Sequence, residues 1–103
     1  MTKNICVIGA GAAGLGAIKA CKESGFNVTC YEKTNYTGGL WRYHEEDVDG
    51  VASVMKTTVI NSSKEMSSLS DFPPPKHAPN YMHHSQWVSA QLHDSFIKNC
   101  RKL

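Results

Sequence analysis

The chain has 103 residues and 41% hydrophobic content, which is room for one small domain with a modest core. Its 11 basic residues are scattered among 9 acidic ones, for a formal net charge of +2, and no run of like charge points to a nucleic-acid surface. No apolar stretch approaches the ~20 residues that a membrane-spanning helix needs.

Asn4-Ile5-Cys6-Val7-Ile8 is a short, continuous apolar run rich in β-branched residues. It lacks alternation, so it reads as a strand covered on both faces, as in a parallel sheet. A strand that begins by Asn4 leaves no space for a charged leader and apolar core before it, so no secretory signal is expected and an intracellular location is favoured. The glycine-rich stretch Gly9-Ala10-Gly11-Ala12-Ala13-Gly14 follows directly. Residues 12–24 then read as a helix, with Leu15, Ile18 and Cys21 on the apolar side and Lys19, Lys22 and Glu23 facing water. Gly25 is placed to end that helix in the left-handed conformation. Residues 26–31 resume strand character and end in Glu32, completing a β-α-β unit with a right-handed crossover.

Each glycine of the first motif has a physical task. Gly9 permits the tight turn out of the strand, Gly11 lets a pyrophosphate approach bare backbone, and Gly14 lets the helix pack closely on the strand. The free N–H groups and the positive end of the helix dipole would face the phosphates. Glu32 stands eighteen positions after Gly14, near the spacing of ~20 expected for a carboxylate on a ribose 2′-hydroxyl. That carboxylate repels a 2′-phosphate, so the site should take the ADP half of FAD or NAD, not NADP. Gly38-Gly39 could let backbone pass beside a cofactor, or could be an ordinary turn.

Residues 42–50 carry Glu45, Glu46, Asp47 and Asp49 and read as a solvated loop with no defensible metal-ligand spacing. Residues 51–60 favour a strand by propensity, while their length allows a short helix, and both readings stay open. Residues 61–70 are rich in Ser and Lys and are expected to be irregular. Asp71-Phe72-Pro73-Pro74-Pro75 can be neither a central strand nor a helix interior and reads as a stiff connector. From Ser85, expected as the cap, a second helix is predicted over residues 85–98, with Val88, Leu92 and Phe96 on one face. After Lys98 no further element is expected. The organisation predicted is thus a βαβ core over residues 1–43, a loop-rich segment over 44–84, and the helix. Cys6, Cys21, Cys30 and Cys100 lack metal spacing and read as small hydrophobes, with Cys6 and Cys30 inside buried strands. His83, His84 and His93 suggest no metal, since adjacent histidines rarely chelate one ion.

Several blocks in order resemble the flavin-containing monooxygenases. They are residues 8–15, Tyr31-Glu32-Lys33, Gly38-Gly39-Leu40-Trp41-Arg42-Tyr43, Asn61-Ser62-Ser63-Lys64-Glu65-Met66, Asp71-Phe72-Pro73 and Pro79-Asn80-Tyr81-Met82-His83. The resemblance implies FAD at the glycine turn, with residues 9–14 on the pyrophosphate, Glu32 on the adenosine ribose, and Gly39, Leu40 and Trp41 along the cofactor. It implies that Asn61, next to Ser62, sits near the reactive edge of the flavin and takes a catalytic part, a role an amide suits because it donates and accepts hydrogen bonds without titrating. In this family NADPH reduces the flavin, dioxygen adds at the flavin C4a position, and the resulting hydroperoxide oxygenates an amine, of the N,N-dialkylaniline type, or a sulfide. Full-length members include some that associate with the endoplasmic reticulum membrane through a C-terminal segment.

The sequence departs from the family pattern at Pro74, where an aromatic is usual, and at His84, where Asn is usual. It also contains no second G-x-G-x-x-G for the nicotinamide cofactor. The expected fold is therefore α/β, a partial Rossmann-like unit within an incomplete doubly wound sheet. The chain reads as an N-terminal piece of a monooxygenase, whether a fragment, a truncated gene model or a shortened product, that does not complete the NADPH-driven cycle alone. Two other readings stand beside it: a non-catalytic nucleotide-binding fragment pairing through its exposed sheet edge, and a different FAD-dependent oxidoreductase.

Overall fold

The structure, a computed structural model, describes residues 2–91 and 100–102. The chain divides into two compact units, one of residues 1–39 with 94–103 and one of residues 40–93.

The first unit is a parallel βαβ arrangement. Strand β1 (Asn4–Ile8) leads through the glycine turn into α1 (Ala12–Glu23), and β2 (Asn27–Glu32) returns parallel to β1. The register runs from Asn4 opposite Asn27 to Ile8 opposite Tyr31. Gly25, at φ +80, closes α1: its N–H donates to Lys22 O, and the next N–H, of Phe26, donates to Cys21 O. Leu15 and Ile18 from α1, with Ala10 and Cys30, form the buried core of this unit.

A third strand, β3 (Cys100–Lys102), pairs parallel with β2 and gives the order β1-β2-β3. It lies where the sequence reading expects no further element. Three residues of mixed character carry no alternation to announce a strand; the ladder to Cys30, Tyr31 and Glu32 defines it. Strand β1 is also less covered than its apolar run suggests. Val7 lies on the side of α1, as the space beside Gly14 shows, whereas Asn4, Cys6 and Ile8 alternate to the opposite face and are exposed. Cys6 is therefore a surface residue, while Cys30 is buried as expected. Strand periodicity decides this: burial on both faces needs a second covering layer, which the described residues do not place there.

The second unit is loop-rich. Its core joins Val54, Ile60, Met82 and Trp87 with the buried His84. Residues 51–60 form neither a helix nor a regular strand; their extended end makes one antiparallel bridge, Val59 to His83. Within residues 61–70, expected to be irregular, a single helical turn α2 (Lys64–Ser67) forms because Ser63 caps it, accepting from Met66 N–H. The last helix, α3 (His84–Gln91), starts one residue before the expected cap. His83 takes that role instead of Ser85. Its Nδ1 accepts from Ser85 N–H at 3.4 Å, and Gln86 Oε1 accepts from His83 N–H at 3.1 Å, a reciprocal pair of the capping-box kind. The remainder of the predicted second helix, including Leu92 and Phe96, lies outside the described residues.

Candidate dinucleotide-binding site

The site begins at the end of β1. Gly9 adopts φ +96, a conformation that side-chain-bearing residues rarely reach, and its N–H donates to Tyr31 O at 2.8 Å, which keeps the turn on the β2 strand end. The chain then enters α1 with Gly11 as its N-cap, which brings no side chain to cap the helix, and the first turn holds no acidic residue. The leading N–H groups of α1 are thus left for an anion, with the helix dipole in their favour. Gly14 fixes how closely α1 meets this turn. A Cβ there would lie 1.9 Å from Gly9 O, so no larger residue fits.

Glu32 stands at the last position of β2 and reaches back to the turn. Its Oε1 accepts from Ala10 N–H at 3.0 Å, and its Oε2 accepts from Thr34 N–H at 2.7 Å and from the Thr34 hydroxyl at 2.6 Å. Burial pushes the carboxyl up, but the Thr34 hydroxyl, the Ala10 N–H, the Thr34 N–H and the Lys33 charge together outweigh it and hold Glu32 below the ordinary glutamate value. The group at this position is therefore an anion near neutral pH, an acceptor suited to ribose hydroxyls and hostile to a 2′-phosphate.

The Gly38-Gly39 turn closes on the same place. Gly38 N–H donates to Ala10 O at 2.8 Å, so both backbone groups of Ala10 are engaged within the site. Gly39 takes φ +57, and a Cβ on it would sit 3.0 Å from Gly11 Cα. Close backbone approach therefore requires a glycine at 14 and favours one at 39, where the second turn meets the first.

Of the residues singled out from sequence, the structure brings Gly9, Ala10, Gly11, Ala12, Ala13, Gly14, Glu32 and Gly39 together in the first unit. Leu40, Trp41, Asn61 and Ser62 belong to the 40–93 unit. There Leu40 is half exposed and its carbonyl accepts from Val54 N–H, while Trp41 packs on Trp87 with ring centroids 4.9 Å apart. Asn61 is exposed and directly follows Ile60, whose N–H donates to Met82 O; Ser62 and Ser67 share a hydroxyl hydrogen bond of 2.5 Å across α2. Sequence reasoning missed Thr34. The signal available was a hydroxyl two residues beyond an acidic strand end, within reach of that carboxylate through local hydrogen bonding.

His83 and the family-variant His84 find partners in the second unit. His83 Nε2 and His84 Nε2 both lie within hydrogen-bond distance of Lys56 O, at 2.8 and 3.3 Å, so each ring donates from Nε2 to one shared carbonyl. His84 also packs beside Tyr43, centroids 5.9 Å apart. Among the described residues no cluster of His, Cys, Asp or Glu could hold a metal ion, and no helix is long and apolar enough to cross a membrane.

The sequence of the flavin-binding monooxygenase-like family matches residues 2–100. The chain belongs to that family. Among its relatives, flavin-containing monooxygenase 5 of Oryctolagus cuniculus is 52% identical over 84 residues, which is 82% of this chain and 16% of that protein. Dimethylaniline monooxygenase (N-oxide-forming) 2 of Cavia porcellus is 49% identical over 86 residues, 84% of this chain and 16% of that protein. This flavin-binding monooxygenase-like chain therefore spans about a sixth of the curated relatives it matches. The fold agrees. S-allyl-L-cysteine S-oxygenase from Allium sativum superposes with TM-score 0.84 at 20% identity, over 99% of this chain and 28% of that one. An oxidized steroid monooxygenase bound to NADP superposes with TM-score 0.71 at 23% identity, over 99% of this chain and 19% of that one.

Proposed function

We propose that this chain is the FAD-binding N-terminal segment of an FAD-dependent, NADPH-using monooxygenase that oxygenates nucleophilic nitrogen or sulfur centres. The observation that carries the reading is the placement of the Glu32 carboxylate on Ala10 N–H, at the mouth of a glycine turn in a member of the flavin-binding monooxygenase-like family. The residues fit the cofactor: bare backbone and uncapped N–H groups at α1 suit a pyrophosphate, and an anionic acceptor at the end of β2 suits the adenosine ribose.

When bound, the flavin would accept hydride equivalents from the nicotinamide cofactor and activate dioxygen for transfer to substrate. The chain's own contributions are binding and orientation. Residues 9–14 would hold the pyrophosphate, Glu32 would accept from the ribose, and Gly39, Leu40 and Trp41 would run beside the cofactor. Asn61, exposed and without a titrating group, would donate and accept hydrogen bonds at the reacting edge. NADPH would bind largely in the remaining length of the family's proteins, since no second G-x-G-x-x-G occurs here. The substrate would be a small soft nucleophile, an amine or a sulfide, and the location intracellular, with the endoplasmic reticulum membrane open to a full-length form.

Purification of the chain, followed by an absorption spectrum and an NADPH-oxidation assay, tests this reading. Bound yellow flavin without NADPH turnover is the expected result. Absence of flavin binding would overturn the FAD assignment, and turnover by this chain would overturn the placement of the nicotinamide site.

A further inference from the structure

We propose that Thr34 is a positioning residue of the cofactor site, one that holds the Glu32 carboxylate in its ribose-accepting pose before any cofactor arrives. The inference rests on the FAD reading above and extends it to a residue outside the glycine motifs.

The geometry is a circuit of hydrogen bonds closed through the backbone of residues 36–38. Ala10 N–H donates to Glu32 Oε1 at 3.0 Å, and Glu32 Oε2 takes both Thr34 donors, N–H at 2.7 Å and Oγ1–H at 2.6 Å. Thr34 Oγ1 in turn accepts from Tyr36 N–H at 3.2 Å. Two residues on, Gly38 N–H donates to Ala10 O at 2.8 Å and returns the path to its start. Thr34 Oγ1 also lies 3.0 Å from Tyr36 O, but a hydroxyl has one proton. The shorter, charge-assisted bond to the carboxylate takes it, so the hydroxyl donates to Glu32 and accepts from Tyr36.

This arrangement assigns different tasks to the two carboxylate oxygens. Oε2 is occupied by two donors from the chain, whereas Oε1 holds one and keeps a lone pair for an incoming hydroxyl. A glutamate at a strand end is otherwise a flexible side chain, free to visit several rotamers. Fixing it in the cofactor-free protein removes that ordering cost from the binding step, which is the general route by which preorganisation raises affinity. The same circuit ties the Gly38-Gly39 turn to the Gly9–Gly14 turn, so Thr34 couples both backbone cradles to a single acidic group.

The test is FAD titration of the full 103-residue chain by flavin fluorescence, with Thr34→Val, Thr34→Ser, and Thr34→Val in a Glu32→Ala background. Thr34→Val keeps the β-branched shape and the backbone N–H and removes only the hydroxyl. Its FAD affinity is expected to fall about tenfold, the loss that follows from removing one hydrogen bond to a charged group. Thr34→Ser is expected to restore binding to within about twofold, and in the Glu32→Ala background Thr34→Val is expected to add nothing, because coupled residues are not additive. A carbon-13 titration of the Glu32 carboxyl in the cofactor-free chain gives a second readout: its midpoint should rise in Thr34→Val and return in Thr34→Ser. Equal FAD affinity in wild type and Thr34→Val would overturn the proposal, as would an equal loss in the Glu32→Ala background, which would mark a purely structural role. If wild type binds no FAD, the underlying FAD reading fails, and an unmoved Glu32 midpoint would then sink the circuit as well.

Discussion

Ala10 donates its backbone N–H to Oε1 of Glu32 at 3.0 Å, joining residues 22 positions apart in sequence at the start of α1 and the end of β2. That bond converts a glycine-rich turn and an acidic strand end, each weak evidence alone, into one site. It also makes Glu32 part of the fold's stability, with consequences that depend on pH.

The folded state holds the Glu32 carboxyl below its ordinary value. A depressed carboxyl contributes stability above the unfolded value of about 4.3, and loses it as pH falls through the folded value. Wild type should therefore be more stable than Glu32→Gln near neutral pH, and the two should converge as pH falls through the lowered folded-state value. Denaturant midpoints measured from pH 7 to pH 3 check this. A gap that stays constant through the acid range would show that the carboxylate's charge is not what the fold uses.

Gly14 and Gly16 differ by two positions in α1 and should respond oppositely to the same change. A Cβ at Gly14 would lie 1.9 Å from Gly9 O, whereas a Cβ at Gly16 meets nothing within 4 Å. Gly14→Ala should cost about 3 kcal/mol or more and open the glycine turn. Gly16→Ala should stabilise by about 0.5 to 1 kcal/mol through helix propensity alone. Thermal or urea unfolding of the two variants measures both signs.

Trp87 anchors the 40–93 unit. Only 8% of it is exposed, its ring packs on Trp41, and its Nε1–H donates to Ser67 O at 3.3 Å. Trp87→Phe should cost about 1 to 2 kcal/mol, the lost indole donor and part of the ring contact, and Trp87→Ala about 3 to 5 kcal/mol. The near-ultraviolet circular dichroism of the tryptophan pair should collapse in the alanine variant.

The proline-rich segment is held by Lys64. Its ammonium donates to Lys76 O at 2.9 Å and Ala78 O at 2.8 Å, while its backbone N–H donates to Asn80 O at 2.7 Å. Lys64→Met keeps the aliphatic stem and removes both side-chain bonds, so it should cost about 1 to 2 kcal/mol. Limited proteolysis should then cut within residues 71–80 faster than in wild type.

Under the proposed function, a change at Asn61 should separate stability from activity. It is exposed, so Asn61→Ala should leave unfolding within about 0.5 kcal/mol of wild type. In a full-length form the same change should abolish product oxygenation while FAD stays bound. Normal product formation in that variant would remove Asn61 from the reaction.

The parts of the structure that follow from local chemistry were legible in the sequence. The first strand, the glycine turn, α1 and β2 all stand where the apolar run, the glycines and the 3.6-residue spacing place them. Glu32 was singled out by its spacing from the glycine motif, and the structure sets its carboxylate on the turn's Ala10 N–H. Other features depend on distant partners. Cys6 reads as buried, yet strand alternation turns it to the open face of the sheet with Ile8. Strand β3 is three residues that only their ladder to β2 defines. The cap of α3 is His83, an imidazole outside the usual set of capping side chains, and its role follows from Ser85 and Gln86 together. Thr34 carries no periodic signal at all; only the reach of the Glu32 carboxylate reveals it.

The central claim is that the glycine turn and Glu32 together hold FAD. The most direct measurement is a fluorescence titration of FAD into this chain and into its Glu32→Ala variant. Saturable binding by wild type, with affinity at least about tenfold weaker in the variant, is the predicted result. Equal affinity in the two proteins would contradict the account.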